Sequence, residues 1–235
     1  MPFTFSHPAI VLPLKKHLGK WVSLSGLIIG SLTPDFEYFI RMKINSNYSH
    51  TVLGCFWLNL PLGILLCFIF HDIIKKPLIE NLPIFIQKRT VELKELNWNV
   101  YFKKNWLVVC CSILIGAFSH ILWDSFTHEN SFFTNYLKLD KKILSTNIPY
   151  FKVLQHLSTL IGGVIILRYL LNLKINEHNF KKPRINYWLK ISLLTLTILF
   201  ARVAYGLKIY EYGNIIVSGI SAFMISITLI SLTKK

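Results

Sequence analysis

The stretch T-V-L-G-C-F-W-L-N-L-P-L-G-I-L-L-C-F-I-F-H-D-I-I, residues 51–74, decides the fold class. A helix needs about 20 predominantly apolar residues to cross a bilayer, and this stretch carries no Asp, Glu, Lys or Arg before Asp72. It therefore predicts a membrane-spanning helix. Four later stretches share this character, near Asn105–Ser125, Phe151–Asn172, Trp188–Leu207 and Asn214–Leu232.

The composition agrees with a membrane protein. Of 235 residues, 53% are hydrophobic and only 16% are charged, whereas a soluble domain carries about 25% charge. Such a composition also excludes a disordered chain. The 26 Lys and Arg exceed the 11 Asp and Glu, and this excess indicates cytoplasmic loops and contact with anionic lipids rather than nucleic-acid binding. We predict one integral membrane domain, divided into regions 1–50, 51–172 and 188–232, with membrane lipids as partners.

The first 50 residues contain two apolar segments that are each too short to span. Pro8–Leu14 and Trp21–Leu32 are separated by a basic segment that contains Lys15, Lys16 and Lys20. We expect a helical hairpin packed against the bundle. The alternative is one tilted span over Trp21–Ile40, which would bring Pro34, Asp35 and Glu37 into the apolar layer. The predicted fold is an all-α polytopic bundle with five long transmembrane helices and an N-terminal hairpin.

The loop charges predict the orientation. Loops on the side of Asp35 hold seven Lys and Arg residues, and those on the opposite side hold sixteen. Because cytoplasmic loops carry the excess of positive charge, the Asp35 side is expected to be exoplasmic. The longest cytoplasmic loop, Lys75–Asn105, mixes basic and apolar residues, which is typical of an interfacial helix.

Ionisable side chains near the end of the second long span form the pattern H-x3-D-x3-H. His120, Asp124 and His128 are four residues apart, so they lie within about 80° of one another on one helix face. Charged groups near a membrane span are costly and are usually there for function. A cation site is one interpretation of this face, and a polar surface bonded to a neighbouring helix is the other.

Three further residues map to the same side of the membrane. Asp35 follows an apolar helix in T-P-D-F-E, His50 opens the first long span, and His7 precedes Pro8 at the start of the hairpin. Each alone is typical of a turn, a cap or a polar anchor. Their convergence from separate elements predicts one cluster.

Imidazoles and carboxylates together are ligands for Zn²⁺, Mn²⁺ or Fe²⁺. We predict that a divalent metal, zinc first, is bound by a set of five residues: His7, Asp35, His50, His120 and Asp124. Such an ion could lower the pKa of bound water toward 7. Glu37 and His128 are the predicted acid/base groups.

Several segments together resemble a family of uncharacterised bacterial membrane proteins, domain of unknown function 4184. They are M-P-F-T-F-S-H-P-A-I-V-L-P-L at 1–14, G-S-L-T-P-D-F-E-Y-F at 30–39, S-H-T-V-L-G at 49–54, N-L-P-L-G-I-L-L at 59–66, F-H-D-I-I-K-K-P-L at 70–78, H-I-L-W-D-S-F-T-H at 120–128 and L-Q-H-L-S-T-L-I-G at 154–162. The resemblance implies a multi-pass protein of the bacterial cytoplasmic membrane, and it implies no established activity.

The His and Asp positions have a more remote similarity to inner-membrane metal-dependent hydrolases and to zinc-dependent phospholipase C. This similarity implies metal-assisted hydrolysis of a phosphodiester in a lipid or lipid-linked substrate. The chain differs from the soluble phospholipases because it is embedded throughout and lacks their full set of ligands.

Two other functions remain open at this stage. The cluster of His and Asp residues would be a structural network or an ion path in a non-enzymatic membrane protein. Side chains more than about 8 Å apart would exclude one shared ion, since zinc–ligand distances are about 2.0–2.2 Å. A transporter is disfavoured because the sequence shows no inverted repeat and no paired broken helices.

Overall fold

The computed structural model describes residues 3–143, 146–177, 180, 182–208 and 210–233. Three of the basic residues that predict the orientation, Lys181, Lys234 and Lys235, lie outside these ranges. The described chain is helical, and five of its helices are long and apolar enough to cross a membrane. The predicted multi-pass all-α fold is therefore confirmed.

The helices are numbered here in chain order. They are α1 Pro8–Leu18, α2 Leu24–Leu32, α3 Phe36–Arg41, α4 Val52–Asn81, α5 Ile84–Glu95, α6 Trp98–Asp124, α7 Phe132–Tyr136, α8 Tyr150–Leu171, α9 Ile185–Ala204 and α10 Tyr212–Leu232. The spanning helices are α4, α6, α8, α9 and α10.

The five spans lie where hydropathy predicts them, but two extend further than predicted. Helix α4 continues to Asn81 and α6 begins at Trp98, although both extensions are polar. Lys75 Nζ, at the start of the extension of α4, donates to the carbonyl of Leu96 at 2.6 Å. Helix α5 fills the connection between the spans, where an interfacial helix was predicted.

The chain forms two compact units. The first contains Met1–Asp35, Tyr48–Ile64 and Asn105–Leu171, and the second contains Phe36–Asn47, Leu65–Lys104 and Asn172–Lys235. The boundary within α6 coincides with Asn105, whose φ of −132° and ψ of 26° interrupt the helix. The prediction of one integral membrane domain stays a prediction.

The N-terminal segment of the first unit is the predicted hairpin, in which α1 packs against α2. Pro8 begins α1, where its missing N–H costs no helical hydrogen bond. Gly19 ends α1 with φ +50°, a conformation that favours glycine. The Ser23 side chain accepts a hydrogen bond from the Gly26 amide and so caps α2.

Helix α2 approaches α6 closely enough to position the residues that follow it. A Cβ added to Gly30 would lie 2.2 Å from the carbonyl oxygen of Ile113, and a Cβ on Gly116 would lie 2.5 Å from that of Leu27. Glycine at these contacts lets the two backbones touch. Asp35, three residues after α2, is therefore held by a rigid helix pair.

The second unit is built around the contact of α9 with α10. Tyr187, Ile191 and Ile227 form its buried apolar cluster, and the Tyr187 hydroxyl lies 3.0 Å from Ser231 Oγ. Helix α3 is attached to α10 by Ser221 Oγ, which donates to the Phe39 carbonyl at 2.7 Å.

Candidate metal centre

The cluster predicted from the sequence is assembled within the first unit. Asp35 ends the turn after α2, His50 precedes α4, and His120 and Asp124 lie one turn apart at the end of α6. One ligand atom from each of these four residues lies within 4.8 Å of the other three. This separation is far inside the 8 Å limit for a shared ion.

The distances between the histidine nitrogens and the aspartate oxygens of this group are those expected around one small cation. His50 Nε2 lies 3.4 Å from Asp35 Oδ1 and 3.6 Å from Asp124 Oδ2. His120 Nε2 lies 3.5 Å from Asp35 Oδ1 and 3.2 Å from Asp124 Oδ2. Ligands at about 2.0–2.2 Å from a tetrahedral ion are about 3.3–3.6 Å from one another. The four His–Asp separations are therefore close to those between neighbouring ligands of one tetrahedral ion.

The hydrogen bonding of the cluster is incomplete among the described residues. Buried polar atoms in proteins almost always have a hydrogen-bond partner, so exceptions need an explanation. The exceptions here are His7 Nδ1 and Nε2, Asp35 Oδ1, His120 Nε2, Asp124 Oδ1 and Oδ2, and His128 Nε2. Nitrogens and oxygens that face one another without forming hydrogen bonds are typical of ligands around a cation.

Two of the four candidate ligands are oriented through their other polar atom. The Thr4 hydroxyl donates to Asp35 Oδ2 at 2.5 Å, which leaves Asp35 Oδ1 facing the cluster. His120 Nδ1 lies 2.7 Å from the carbonyl oxygen of Ser31, so its Nδ1–H donates and its Nε2 faces the cluster. The neutral tautomer with a free Nε2 is the form of histidine that binds metals.

His50 is positioned by the turn that precedes α4. Thr51 caps the helix by accepting a hydrogen bond from the Gly54 amide at 2.9 Å. Asn59, on a π-helical segment of α4, donates to the Ser49 carbonyl at 2.7 Å. Insertions of π-helix are frequent at functional sites. Ser49 Oγ lies 3.1 Å from His50 Nδ1, so this imidazole also has a second polar contact.

His7 and His128 lie near Asp124 Oδ1, the oxygen that faces away from His50 and His120. His7 Nε2 is 3.5 Å and His128 Nδ1 is 3.6 Å from Asp124 Oδ1. The His7 ring also stacks on that of His120, with ring centroids 3.7 Å apart. Both residues thus contact the cluster, although neither belongs to the four-atom group.

Glu37, predicted as an acid/base group, lies in the second unit. Its Oε1 accepts hydrogen bonds from Arg41 Nη2 at 2.8 Å, Arg41 Nε at 3.0 Å and the Asn47 amide at 3.0 Å. This carboxylate is therefore already engaged with a guanidinium. A catalytic function for Glu37 stays a prediction.

The surroundings displace the pKa values of His7 and Asp35, which lie outside the spanning helices. Burial lowers the pKa of His7 to about 3, and the neighbouring His120 acts in the same direction. Burial by itself would raise the pKa of Asp35, but the nearby imidazole of His120 outweighs it and holds that pKa below its usual value. A neutral imidazole and an ionised carboxylate are the forms that bind metal ions.

The sequence patterns did not identify Thr4, Ser31 or Asn59 as part of the site. Thr4 lies in the segment M-P-F-T-F-S-H-P, in which the residue pattern points only to His7. Hydroxyl and carbonyl groups at such positions are common everywhere in proteins. Their contribution follows from hydrogen bonds to residues 31, 89 and 10 positions away in the chain.

A comparison with known protein families finds one family that matches almost the whole chain. Residues 1–232 match the family described as domain of unknown function (DUF4184). The chain belongs to this family. No curated protein and no solved structure matches it. The family description assigns no activity, so the function has to be argued from the geometry of the cluster.

Proposed function

We propose that this DUF4184 protein is a membrane-bound metal-dependent hydrolase that acts on a phosphodiester. The observation that supports the proposal is the four-atom group of Asp35, His50, His120 and Asp124, whose ligand atoms lie within 4.8 Å of one another. Zn²⁺ is our first choice because it takes imidazole and carboxylate ligands, and Mn²⁺ or Fe²⁺ would be the alternatives.

The unsatisfied hydrogen-bonding atoms favour a cation over a purely structural network. A structural network would pair its buried donors and acceptors, because an unpaired one costs about 1–3 kcal/mol. Here both oxygens of Asp124 and both ring nitrogens of His7 make no hydrogen bond to any described residue. A bound cation would supply the partner that ligand atoms of this kind need.

The residues around the group suggest how it would act. A divalent ion supplies a Lewis acid and activates water near neutral pH. Hydrolysis of a phosphodiester adds the water oxygen to phosphorus, breaks one P–O ester bond and transfers a proton to the leaving alkoxide. His128 is the best candidate for that proton transfer, since it borders Asp124 and is only partly buried. Glu37 is the weaker candidate because Arg41 occupies its carboxylate.

We infer that the cluster faces the exoplasmic side of a bacterial cytoplasmic membrane. The loops on the opposite side carry sixteen of the Lys and Arg residues, against seven on the side of Asp35. This asymmetry supports the orientation through the positive-inside rule.

Metal analysis of the purified protein tests the proposal directly. We expect stoichiometric zinc by elemental analysis in the wild type, and its loss in Asp35→Asn and His120→Ala. His156→Ala is the matched control, because His156 is exposed on α8. Sub-stoichiometric zinc that is unchanged by His120→Ala would contradict the metal site and favour the structural network or ion path.

Hydrolysis is tested in a second step with bis(p-nitrophenyl) phosphate as the probe. We expect zinc-dependent release of nitrophenol in the wild type and in His156→Ala, and none in Asp35→Asn. Stoichiometric zinc without turnover of any phosphodiester would limit the site to cation binding.

A further inference from the structure

An apolar groove of about 540 Å³ lies in the first unit beside the metal cluster. Its walls are the start of α1, the end of α6 and the middle of α8, and they include Ala9, Ile10, Trp123, Leu157 and Ile161. The volume lies within the range of about 300–1,000 Å³ that is usual for ligand sites. The groove is therefore large enough for part of a small apolar molecule.

The hydroxyl groups in the walls of the groove are bonded within the protein. Ser6 Oγ donates to the Thr159 carbonyl at 3.1 Å, and Ser158 Oγ donates to the Leu154 carbonyl in its own helix. Thr127 Oγ1 donates to the Trp123 carbonyl at 3.4 Å. With these hydroxyls engaged, the groove presents almost only carbon to an occupant.

His7 connects the groove to the metal cluster. It is one of the lining residues, its exposed fraction is 3%, and its Nε2 lies 3.5 Å from Asp124 Oδ1. Neither of its ring nitrogens makes a hydrogen bond to a described residue. The groove therefore has one polar wall, and that wall belongs to the site proposed for hydrolysis.

The other walls of the groove continue into the lipid-facing surface of α8. Leu157 and Ile161 are 47% and 55% exposed, and α8 is long and apolar enough to cross the membrane. Leu160 and Val164, which lie outside the groove, extend the same apolar surface. Hydrocarbon chains cover such a surface in a bilayer, because the bilayer core offers no other partner.

We propose that the groove binds one acyl chain of a membrane phospholipid, whose phosphodiester then lies at the His and Asp cluster. The position of the phosphodiester rests on the proposed function, whereas the binding of the chain does not. A groove continuous with the lipid-facing surface lets the substrate enter sideways from the bilayer, so its apolar chain need never cross water. The substrate class is thereby a membrane-resident lipid rather than a soluble phosphodiester.

Photo-crosslinking in detergent tests the groove with a phosphatidylglycerol that carries a diazirine near the end of one acyl chain. We expect saturable labelling of α8 near Leu157 and Ile161, competed by unlabelled phosphatidylglycerol. Leu157→Trp fills the groove and should weaken labelling about tenfold, which corresponds to about 1.4 kcal/mol. Leu160→Trp, on the same helix outside the groove, should leave labelling unchanged.

Unsaturable labelling, or the same loss in both tryptophan variants, would overturn the proposal. Competition by a polyprenyl phosphate but not by phosphatidylglycerol would overturn the phospholipid assignment. Ile161→Trp is the second variant should Leu157→Trp fail to fold. The Asp35→Asn variant separates the two hypotheses. Labelling of this variant without bound zinc would support the groove but not the metal site. A wild type that binds zinc but is not labelled would contradict the groove and leave the metal site standing.

Discussion

At the residue scale, the candidate ligands are oriented by bonds that lie outside the cluster. Asp35 is held by Thr4 and His120 by the Ser31 carbonyl. Asp35 Oδ1 and His120 Nε2 therefore face the proposed ion. Loss of a partner of this kind usually lowers metal affinity by about 10–100-fold. Thr4 is the clearest test because its hydroxyl contributes no ligand atom to the four-atom group.

Replacement of Thr4 by valine removes this hydroxyl and keeps the shape of the side chain. We expect zinc affinity to fall about 10–100-fold, because Asp35 loses the bond that orients its carboxylate. Competition with a chromogenic chelator measures the change. Thr228→Val is the control, since the Thr228 hydroxyl bonds the Met224 carbonyl of its own helix. Equal affinities in the wild type and Thr4→Val would show that Asp35 needs no such support.

Gly54 offers a second test at this scale, directed at His50. A Cβ at Gly54 would lie 1.9 Å from the Tyr48 carbonyl oxygen, so Gly54→Ala must displace the turn that carries His50. Forced contacts of this kind cost about 1–3 kcal/mol. We expect a lower melting temperature and lower zinc content. Gly163→Ala, where no atom lies within 4 Å of the added carbon, should change neither.

At the scale of elements, the contact of the hairpin with α6 brings distant residues to the cluster. Asp35 follows α2, while His120 and Asp124 end α6, so the packing of these two helices sets the distance between the carboxylates. Small residues at the contact allow the approach. The Ser23 backbone amide, just before α2, donates to Ser112 Oγ on α6 at 2.8 Å.

Widening this contact should disturb the cluster without changing any ligand. Gly30→Ala places a carbon 2.2 Å from the Ile113 carbonyl oxygen, which forces α2 away from α6. We expect loss of zinc together with a lower melting temperature, measured on the same sample. Gly219→Ala on α10 has open space for its carbon and should behave as the wild type. Retention of zinc by Gly30→Ala would show that the cluster tolerates a shift of the hairpin.

At the scale of the whole molecule, the charge of the loops should set the orientation in the membrane. Asn147 and Lys174 are exposed and lie in loops on either side of α8. With the basic loops in the cytoplasm, a membrane-impermeant maleimide should label Asn147→Cys on intact cells. The same reagent should label Lys174→Cys only after the membrane is permeabilised. The protein without an introduced cysteine gives the background labelling. The reverse labelling would place the cluster on the cytoplasmic side.

Much of the fold follows from local patterns. The five spans are recognisable because apolar runs of membrane length have no other stable arrangement in a bilayer. The hairpin follows from two short apolar segments separated by lysines. Hydropathy misplaces the end of α4 and the start of α6, because both helices continue beyond their apolar stretches. The contact of Lys75 Nζ with the Leu96 carbonyl lies at this point.

Residue type, helical spacing and topology predict one cluster of five residues: His7, Asp35, His50, His120 and Asp124. What they could not supply was the distance between them, because that depends on how α2 packs against α6 and how the turn before α4 is held. Thr4, Ser31 and Asn59 had no local signal, since a hydroxyl, a carbonyl and an amide become specific only when packing gives them a partner. The apolar groove is likewise a property of three packed elements: its side chains are ordinary lipid-facing residues until α1, α6 and α8 meet beside His7.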